Sequence, residues 1–147
     1  MQLAFREAKK AFEENEVPVG CVIVHNKTNN IVASTRNLMQ QTKNPNSHAE
    51  ILAINLACLE LGSKNLSGCD IYITLEPCTM CAAAIANARV RRLYYAAADR
   101  KQGAVENGIR FFNSSSCFHR PEIYTGILEE EAINLMQTFF NRIRNCS

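Results

Sequence analysis

Apolar residues follow two kinds of spacing along this chain, one typical of helices and one of strands. Helical spacing predicts helices over residues 2–14, 49–61 and 79–88, and along a C-terminal stripe from Leu128 to Ile143. Short apolar runs predict strands at residues 17–24, 31–35, 71–75 and 93–97, with a short last strand near residues 122–125. A polar turn at residues 26–30 joins the first two strands as a hairpin, and residues 37–47 and 99–120 are predicted to be irregular.

The order of these elements indicates the fold class. A strand, a helix and a strand follow one another between residues 71 and 97, which is typical of a crossover between parallel strands. The hairpin adds antiparallel strands, so we predict a single three-layer α/β domain with a mixed sheet over residues 1–147. The helix over residues 49–61 ends at Gly62 and is apolar around most of its circumference, so we expect burial on several sides, with one side available to a second subunit.

Composition narrows the class of protein. Hydrophobic residues make up 47% of the chain and charged residues 20%, as in a globular rather than a disordered protein. No apolar run approaches the length that spans a membrane. The N-terminal residues mix both charge signs and lack the uninterrupted apolar segment of a secretory signal. We therefore expect a cytoplasmic protein with no membrane partner.

Seven cysteines in a chain of this size raise the question of disulfides. The odd count, the missing export signal and the close Cys78-x-x-Cys81 pair favour reduced thiols with a metal instead. The net charge of +2 predicts no strong indiscriminate binding to nucleic acid. Residues 89–147 hold 9 Lys/Arg against 6 Asp/Glu, whereas residues 1–88 hold 7 against 8. The basic second half suits a phosphate-bearing partner, although such an imbalance also arises by chance.

Two short stretches contain the candidate metal-binding and catalytic residues. They are His48-Ala49-Glu50 and Pro77-Cys78-Thr79-Met80-Cys81. One imidazole and two thiols are three ligands for a zinc ion, which leaves a fourth position open for water, as in catalytic sites. All three ligands fall at the start of a predicted helix, where the partial positive charge of the helix end lowers thiol pKa values. Glu50 can take a proton from the zinc-activated water and return it to the substrate, so hydrolytic deamination follows.

The same residues also permit other interpretations. A closed structural zinc site would need a fourth ligand, for which Cys69, Cys117, His25 and His119 are candidates, and Cys78-x-x-Cys81 alone also suits a redox pair. Glu50 alone would be a solvated carboxylate on a helix face. Its place beside His48 on an apolar helix favours the catalytic interpretation.

The chain resembles the bacterial tRNA-specific adenosine deaminases within the cytidine deaminase superfamily. The zinc residues match the superfamily signature, histidine-x-glutamate then proline-cysteine-x-x-cysteine, of deaminases that act on nucleobases. The resemblance covers nearly the whole chain and is carried by Glu16-Val17-Pro18-Val19-Gly20, Arg36-Asn37, Asn44-Pro45, His48-Ala49-Glu50-Ile51, Thr74-Leu75-Glu76-Pro77-Cys78-Thr79-Met80-Cys81, Asp99-Arg100-Lys101-Gln102-Gly103-Ala104, Gly126-Ile127-Leu128-Glu129 and Phe139-Phe140-Asn141-Arg142.

The resemblance implies a three-layer α/β/α cytidine deaminase-like fold with a central mixed five-stranded sheet. It implies a substrate, the wobble adenosine of a tRNA anticodon loop, one zinc ion per subunit, and a homodimer. It further implies these roles: His48, Cys78 and Cys81 as zinc ligands, Glu50 as proton shuttle, Asn37 and the Ala49 backbone as pocket contacts, Asp99 near the flanking nucleotides, and Arg142 and Arg144 against the RNA.

The residues alone would favour plainer roles for several of these positions. Asn37 would be a turn residue, Asp99 a capping carboxylate, and Arg142 part of a solvated helix end. Two other functions also stay open at this point. One is a free-base deaminase for guanine or cytosine, and the other is a zinc-stabilised RNA-binding module without catalysis.

Overall fold

The computed structural model of the protein describes residues 1–146. Five strands and five helices follow the order α1, β1, β2, α2, α3, β3, α4, β4, β5, α5, with a short 3-10 helix, Phe111–Asn113, before β5. The strands are β1 (Gly20–His25), β2 (Ile31–Arg36), β3 (Cys69–Leu75), β4 (Arg92–Ala97) and β5 (Glu122–Thr125). The helices are α1 (Gln2–Glu13), α2 (Met39–Thr42), α3 (Ala49–Leu61), α4 (Thr79–Asn87) and α5 (Glu129–Asn145).

The strands form one mixed sheet in the order β2-β1-β3-β4-β5. β1 runs antiparallel to both β2 and β3, whereas β3, β4 and β5 are parallel to one another. The predicted crossover, in which α4 connects two parallel strands, is confirmed, and so is the short fifth strand. β3 occupies the middle of the sheet, so the segment that follows it emerges from the centre of the fold.

Helices cover both faces of the sheet. Successive side chains of a strand point to opposite faces, so a strand presents side chains to both layers of helices. Cys21 and Ile23 of β1 are buried in the same core cluster as Ala53 of α3. Gly20 faces the other way, against α1, and Ala96 of β4 packs on that second side with residues of α1 and α5. The predicted three-layer α/β/α arrangement is confirmed, with α3 and α4 on one face and α1 and α5 on the other.

The largest differences from the predicted elements are at the start of β1 and in the stretch over residues 37–47. β1 starts at Gly20 rather than at residue 17. The strand pairs with a neighbour on each side, and Pro18 has no N–H to contribute to either ladder. The predicted irregular stretch over residues 37–47 contains one helical turn, α2, which ends at Lys43 in the left-handed conformation. Its polar sequence carries no apolar spacing that would reveal a helix.

The long apolar helix α3 is buried along only part of its circumference within this chain. Its inner side consists of Ala49, Glu50, Ala53, Ile54 and Ala57. Leu56 is 48% exposed and Leu59 is 79% exposed. The expectation of burial on several sides is therefore not met within one chain.

None of the seven cysteines is in a disulfide in the part of the chain that the structure describes. Across the same residues, none of the helices has the length and apolar content needed to cross a bilayer.

Gly20 lets α1 approach the sheet closely. A Cβ atom there would lie 1.8 Å from the Ala4 carbonyl oxygen and 2.7 Å from the Ala8 nitrogen, and both contacts are to backbone that cannot rotate away. We expect Gly20→Ala to lower the free energy of unfolding by about 3 kcal/mol, measured by urea denaturation. Gly68→Ala is the matched control, because its added Cβ would meet nothing closer than 3.4 Å. Equal urea midpoints for the two variants would contradict this prediction.

Candidate active site

The structure brings three sequence-predicted ligands together at two helix starts. His48 is the N-cap residue of α3 and Cys78 is the N-cap residue of α4, both with extended backbone. Cys81 lies in the first turn of α4 and is buried. Both helices therefore point the positive end of their dipole at this group.

The distances within this group fit a zinc ion. The Nδ1 atom of His48 lies 3.7 Å from the Cys78 Sγ and 3.5 Å from the Cys81 Sγ. Zinc bonds of about 2.3 Å to sulfur and about 2.0 Å to nitrogen, at a tetrahedral angle, separate such atoms by about 3.5 Å. The donor set, one imidazole and two thiols, is also a common one for zinc.

The group offers three ligands and no fourth. Within residues 1–146, His48, Cys78 and Cys81 are the only set of three or more such side chains whose ligand atoms converge, within 4.8 Å of one another. The alternative fourth ligands lie elsewhere. For example, His119 Nε2 contacts the Val90 carbonyl oxygen at 2.7 Å. A coordination position is therefore left for a non-protein ligand, as in catalytic rather than structural zinc sites.

The surroundings of the Cys78 sulfur atom favour its thiolate form. Hydrogen bonds from the Cys81 thiol, from His48 and from the Cys81 backbone lower the pKa of Cys78 to about 4, against the effect of burial. The pKa of Cys81 is raised, because its thiol is hydrogen-bonded to Cys78 and is buried. The hydrogen bond to Cys78 also raises the pKa of His48. A divalent cation would displace the proton shared by the two sulfur atoms.

Glu50 lies in the first turn of α3, beside the three ligands and outside their group. Its side chain is only 4% exposed. Burial raises the pKa of Glu50 to about 7, although its own backbone N–H and the nearby His48 favour the charged form. A carboxyl group with this pKa can both accept and donate a proton near neutral pH. The geometry suits the proton-shuttle role, which stays a prediction.

Asn37 and Ala49 lie on two chain segments that a backbone hydrogen bond joins near the start of α3. The Leu38 N–H donates to the Ser47 carbonyl oxygen at 3.0 Å, which joins the residue after Asn37 to the residue before His48. The Ala49 carbonyl accepts a hydrogen bond from the Thr35 hydroxyl at 2.7 Å, which ties the start of α3 to β2. Asn37 is 4% exposed, so it is more enclosed than an ordinary turn residue.

Glu16 is a functional candidate that the sequence analysis missed. It is 1% exposed, and its carboxylate accepts hydrogen bonds from the Gln41 N–H at 2.8 Å and the Asn37 Nδ2 at 3.4 Å. This contact turns the amide nitrogen of Asn37 towards Glu16, because a carboxylate only accepts. The one available signal was its place at the start of the Glu16–Gly20 stretch, where a carboxylate precedes four apolar or small residues.

The structure gives Asp99 and Arg142 contacts within the chain. Asp99 Oδ1 accepts hydrogen bonds from the Lys101 and Gln102 N–H groups at 2.9 and 3.1 Å, which makes it a turn-capping carboxylate. Arg142 Nη2 donates to the Phe12 carbonyl at 2.8 Å, and its guanidinium carbon lies 4.1 Å from the centre of the Phe12 ring. The predicted RNA contacts of both residues stay predictions.

This chain is similar to known proteins in both sequence and fold. The family model for the cytidine and deoxycytidylate deaminase zinc-binding region matches residues 1–97. A tRNA-specific adenosine deaminase of Rickettsia felis is 56% identical over 144 residues, which cover 98% of this chain and all of that protein.

Two solved structures are also similar. One comes from studies of A-to-I editing by tRNA:A34 deaminases at the wobble position of transfer RNA. It is 48% identical with a TM-score of 0.89, and the match covers 92% of this chain and 96% of that one. A guanine deaminase of Bacillus subtilis is 30% identical with a TM-score of 0.63, and the match covers 95% and 90% of the two chains. On the strength of the full-length relatives and the family model, this chain belongs to the tRNA-specific adenosine deaminases within the cytidine and deoxycytidylate deaminase family.

Proposed function

We propose that this protein converts adenosine to inosine, by hydrolytic deamination, at the wobble position of a tRNA anticodon. The observation that carries the proposal is the three-ligand group of His48, Cys78 and Cys81 with the buried Glu50 beside it. The full-length tRNA-specific adenosine deaminase relatives support the choice of substrate.

The residues have distinct roles in this reaction. His48, Cys78 and Cys81 would hold one zinc ion per subunit, which when bound polarises a water molecule so that it can attack near neutral pH. Glu50 takes a proton from that water as oxygen bonds to the amino-bearing ring carbon, and passes the proton to the adjacent ring nitrogen. It then transfers the remaining hydroxyl proton to the departing amino group, which leaves as ammonia. The raised pKa of Glu50 suits this two-way transfer.

Asn37 would hold the adenine ring in place. With its amide nitrogen turned towards Glu16, the Asn37 side chain still has an acceptor oxygen and a second N–H for the base. The Ala49 backbone, fixed to β2 by Thr35, forms the adjacent wall. A base can enter such an enclosed site only after it leaves the stack of neighbouring bases. In an anticodon loop, where the bases are unpaired, this costs little free energy.

We expect Asn37→Ala to lower kcat/KM for an anticodon stem-loop by about 30-fold, because buried hydrogen bonds to the base are lost. Zinc content, measured by atomic absorption, should not change. Gln41→Ala is the matched control. It removes an exposed side chain while the backbone N–H of residue 41 still donates to Glu16. Unchanged kinetics would return Asn37 to the role of a turn residue.

The RNA would contact residues beyond the pocket. Asp99 would lie near the nucleotides that flank the target, and Arg142 and Arg144 would face the RNA from the end of α5. Arg142 already contacts α1 through Phe12, so in this proposal it presents the remaining guanidinium edge. A tRNA substrate also implies that the enzyme acts in the cytoplasm.

A homodimer is part of the proposal. Leu56 and Leu59 expose apolar surface on α3, the helix whose start carries His48. A second copy of this chain would cover that surface, and RNA would then contact both subunits. Sedimentation should give about twice the mass of one 16.5 kDa chain.

A free-base deaminase is the second candidate, favoured by the likeness to a guanine deaminase. The deciding experiment gives the purified protein an anticodon stem-loop with adenosine at the wobble position, and separately free guanine and cytosine. Inosine is measured by digestion and mass spectrometry, and ammonia release is measured for the free bases. Inosine in the stem-loop supports the proposal, and reaction of free bases alone would refute it.

A further inference from the structure

A buried carboxylate outside the metal group organises a long irregular segment. Glu76 follows β3 and is 2% exposed. Its Oε1 atom accepts hydrogen bonds from the backbone N–H groups of Val105, Glu106 and Asn107 at 3.0, 2.9 and 3.0 Å. Its Oε2 atom accepts from the Asp99 N–H at 2.9 Å and from the Asn107 Nδ2 at 2.7 Å. All five donors thus belong to residues 99–107.

This segment has no helix or strand to give it a shape. Residues 99–107 lie between β4 and the 3-10 helix. Four of their nine backbone N–H groups, at both ends of the segment, donate to Glu76. The segment also contacts the metal-binding turn, since Gly103 forms an isolated bridge with Cys78 and the Ala104 N–H donates to the Pro77 carbonyl at 2.9 Å. Glu76 therefore binds both ends of a segment that lies beside a metal ligand.

Gly103 shows how closely the segment fits around this carboxylate. A Cβ atom at this position would lie 2.3 Å from the Asp99 carbonyl oxygen and 2.5 Å from the carboxyl carbon of Glu76. The φ angle of Gly103 lies outside the left-handed region, so only the lack of space, and not backbone strain, excludes a side chain. The packing and the hydrogen bonds independently indicate that the turn is built around Glu76.

The structure assigns Glu76 as a positioning residue that holds residues 99–107, with Asp99 at their start, as the wall of the pocket that contacts the nucleotides flanking the target base. This assignment rests on the proposed function. Glu76 acts through the segment and not on the reacting atoms. Loss of its hydrogen bonds should therefore weaken contacts to the flanking nucleotides, while the metal group and Glu50 keep their places on α3 and α4.

Three variants test the assignment in the full-length, zinc-loaded protein. Glu76→Gln keeps the shape but replaces one acceptor oxygen by an NH2 group that faces N–H donors. Gly103→Ala leaves the carboxylate intact and displaces the turn by steric conflict. Asn107→Ala removes only the side-chain donor. Gly68→Ala is the control, since it adds the same methyl group where nothing lies within 3.4 Å.

For Glu76→Gln and Gly103→Ala we expect KM for the anticodon stem-loop to rise about tenfold, with kcat changed by less than about threefold. Asn107→Ala should show a smaller rise in KM. Wild-type preference among stem-loops that differ only in the flanking nucleotides should shrink in the first two variants. A residue needed only for stability would not change this preference.

Hydrogen exchange gives a second readout that needs no activity. The Val105, Glu106 and Asn107 amides should exchange faster in Glu76→Gln, whereas amides in β3 should not. If Glu76→Gln does not fold, Gly103→Ala and Asn107→Ala decide the question by the same measurements. Unchanged KM, flanking preference and exchange in the folded variants would overturn the assignment, as would a fall in kcat at constant KM. Wild-type protein that makes no inosine and binds no stem-loop would instead overturn the proposed function, and with it this assignment.

Discussion

Glu50→Gln is expected to lower kcat for adenosine deamination by about 10³-fold and to leave zinc content and folding unchanged. Glutamine has the shape of the carboxylic acid but cannot take a proton from water or return it. The pocket already accommodates a neutral side chain here, because burial raises the pKa of Glu50 to about 7. Single-turnover formation of inosine, zinc analysis and thermal unfolding are the measurements.

The matched control for this variant is Glu60→Gln, which makes the same change at an exposed position of the same helix. It should retain wild-type turnover. If Glu50→Gln keeps its activity, Glu50 has no part in proton transfer. If it loses zinc, Glu50 is a structural residue. RNA binding by a wild-type protein that shows no turnover would favour the RNA-binding module over the enzyme.

Removal of the metal should abolish deamination and also destabilise the fold. His48 and Cys78 start two different helices, 30 residues apart in the chain, so an ion held by both joins α3 to α4. Binding at about a thousand times the dissociation constant stabilises a protein by about 4 kcal/mol. In a chain of this size that corresponds to a fall in melting temperature of about 12 °C when a chelator strips the ion.

Zinc added back should restore both the activity and the melting temperature. Cys78→Ser should reproduce the effects of the chelator, whereas Cys146→Ser, at an exposed position outside the group, should match wild type in both respects. Full activity in protein shown by elemental analysis to hold no metal would contradict the proposed mechanism.

The sequence predicted the metal group because its ligands are close in sequence to helix starts that the pattern already located. Cys78 and Cys81 are three residues apart, and any helix starting after Pro77 puts them on one face. The strands of the sheet were predicted in the same way, from short runs of apolar residues. The meeting of His48 with the cysteines is a tertiary contact, which the sequence indicated only through the combined histidine-x-glutamate and proline-cysteine-x-x-cysteine motif.

The two buried carboxylates could not be predicted from spacing. Glu16 and Glu76 accept hydrogen bonds from residues 21 to 31 positions away, and no local pattern indicates which backbone groups will reach them. Both lie inside stretches that carried the resemblance, where no role was given to them. α2 was missed for the opposite reason, since its single polar turn is stabilised by its surroundings and not by apolar periodicity.

The central place of β3 has a consequence for how this enzyme type could acquire new substrates. The cysteine ligands follow β3, the middle strand of the sheet, and strands in the core of a fold are among the last to open. In the proposed function, by contrast, the nucleotides that flank the target would meet residues 99–107 and the end of α5, which lie outside the sheet. Exchange of these outer segments could therefore alter which substrate is accepted, while the reactive centre is inherited unchanged.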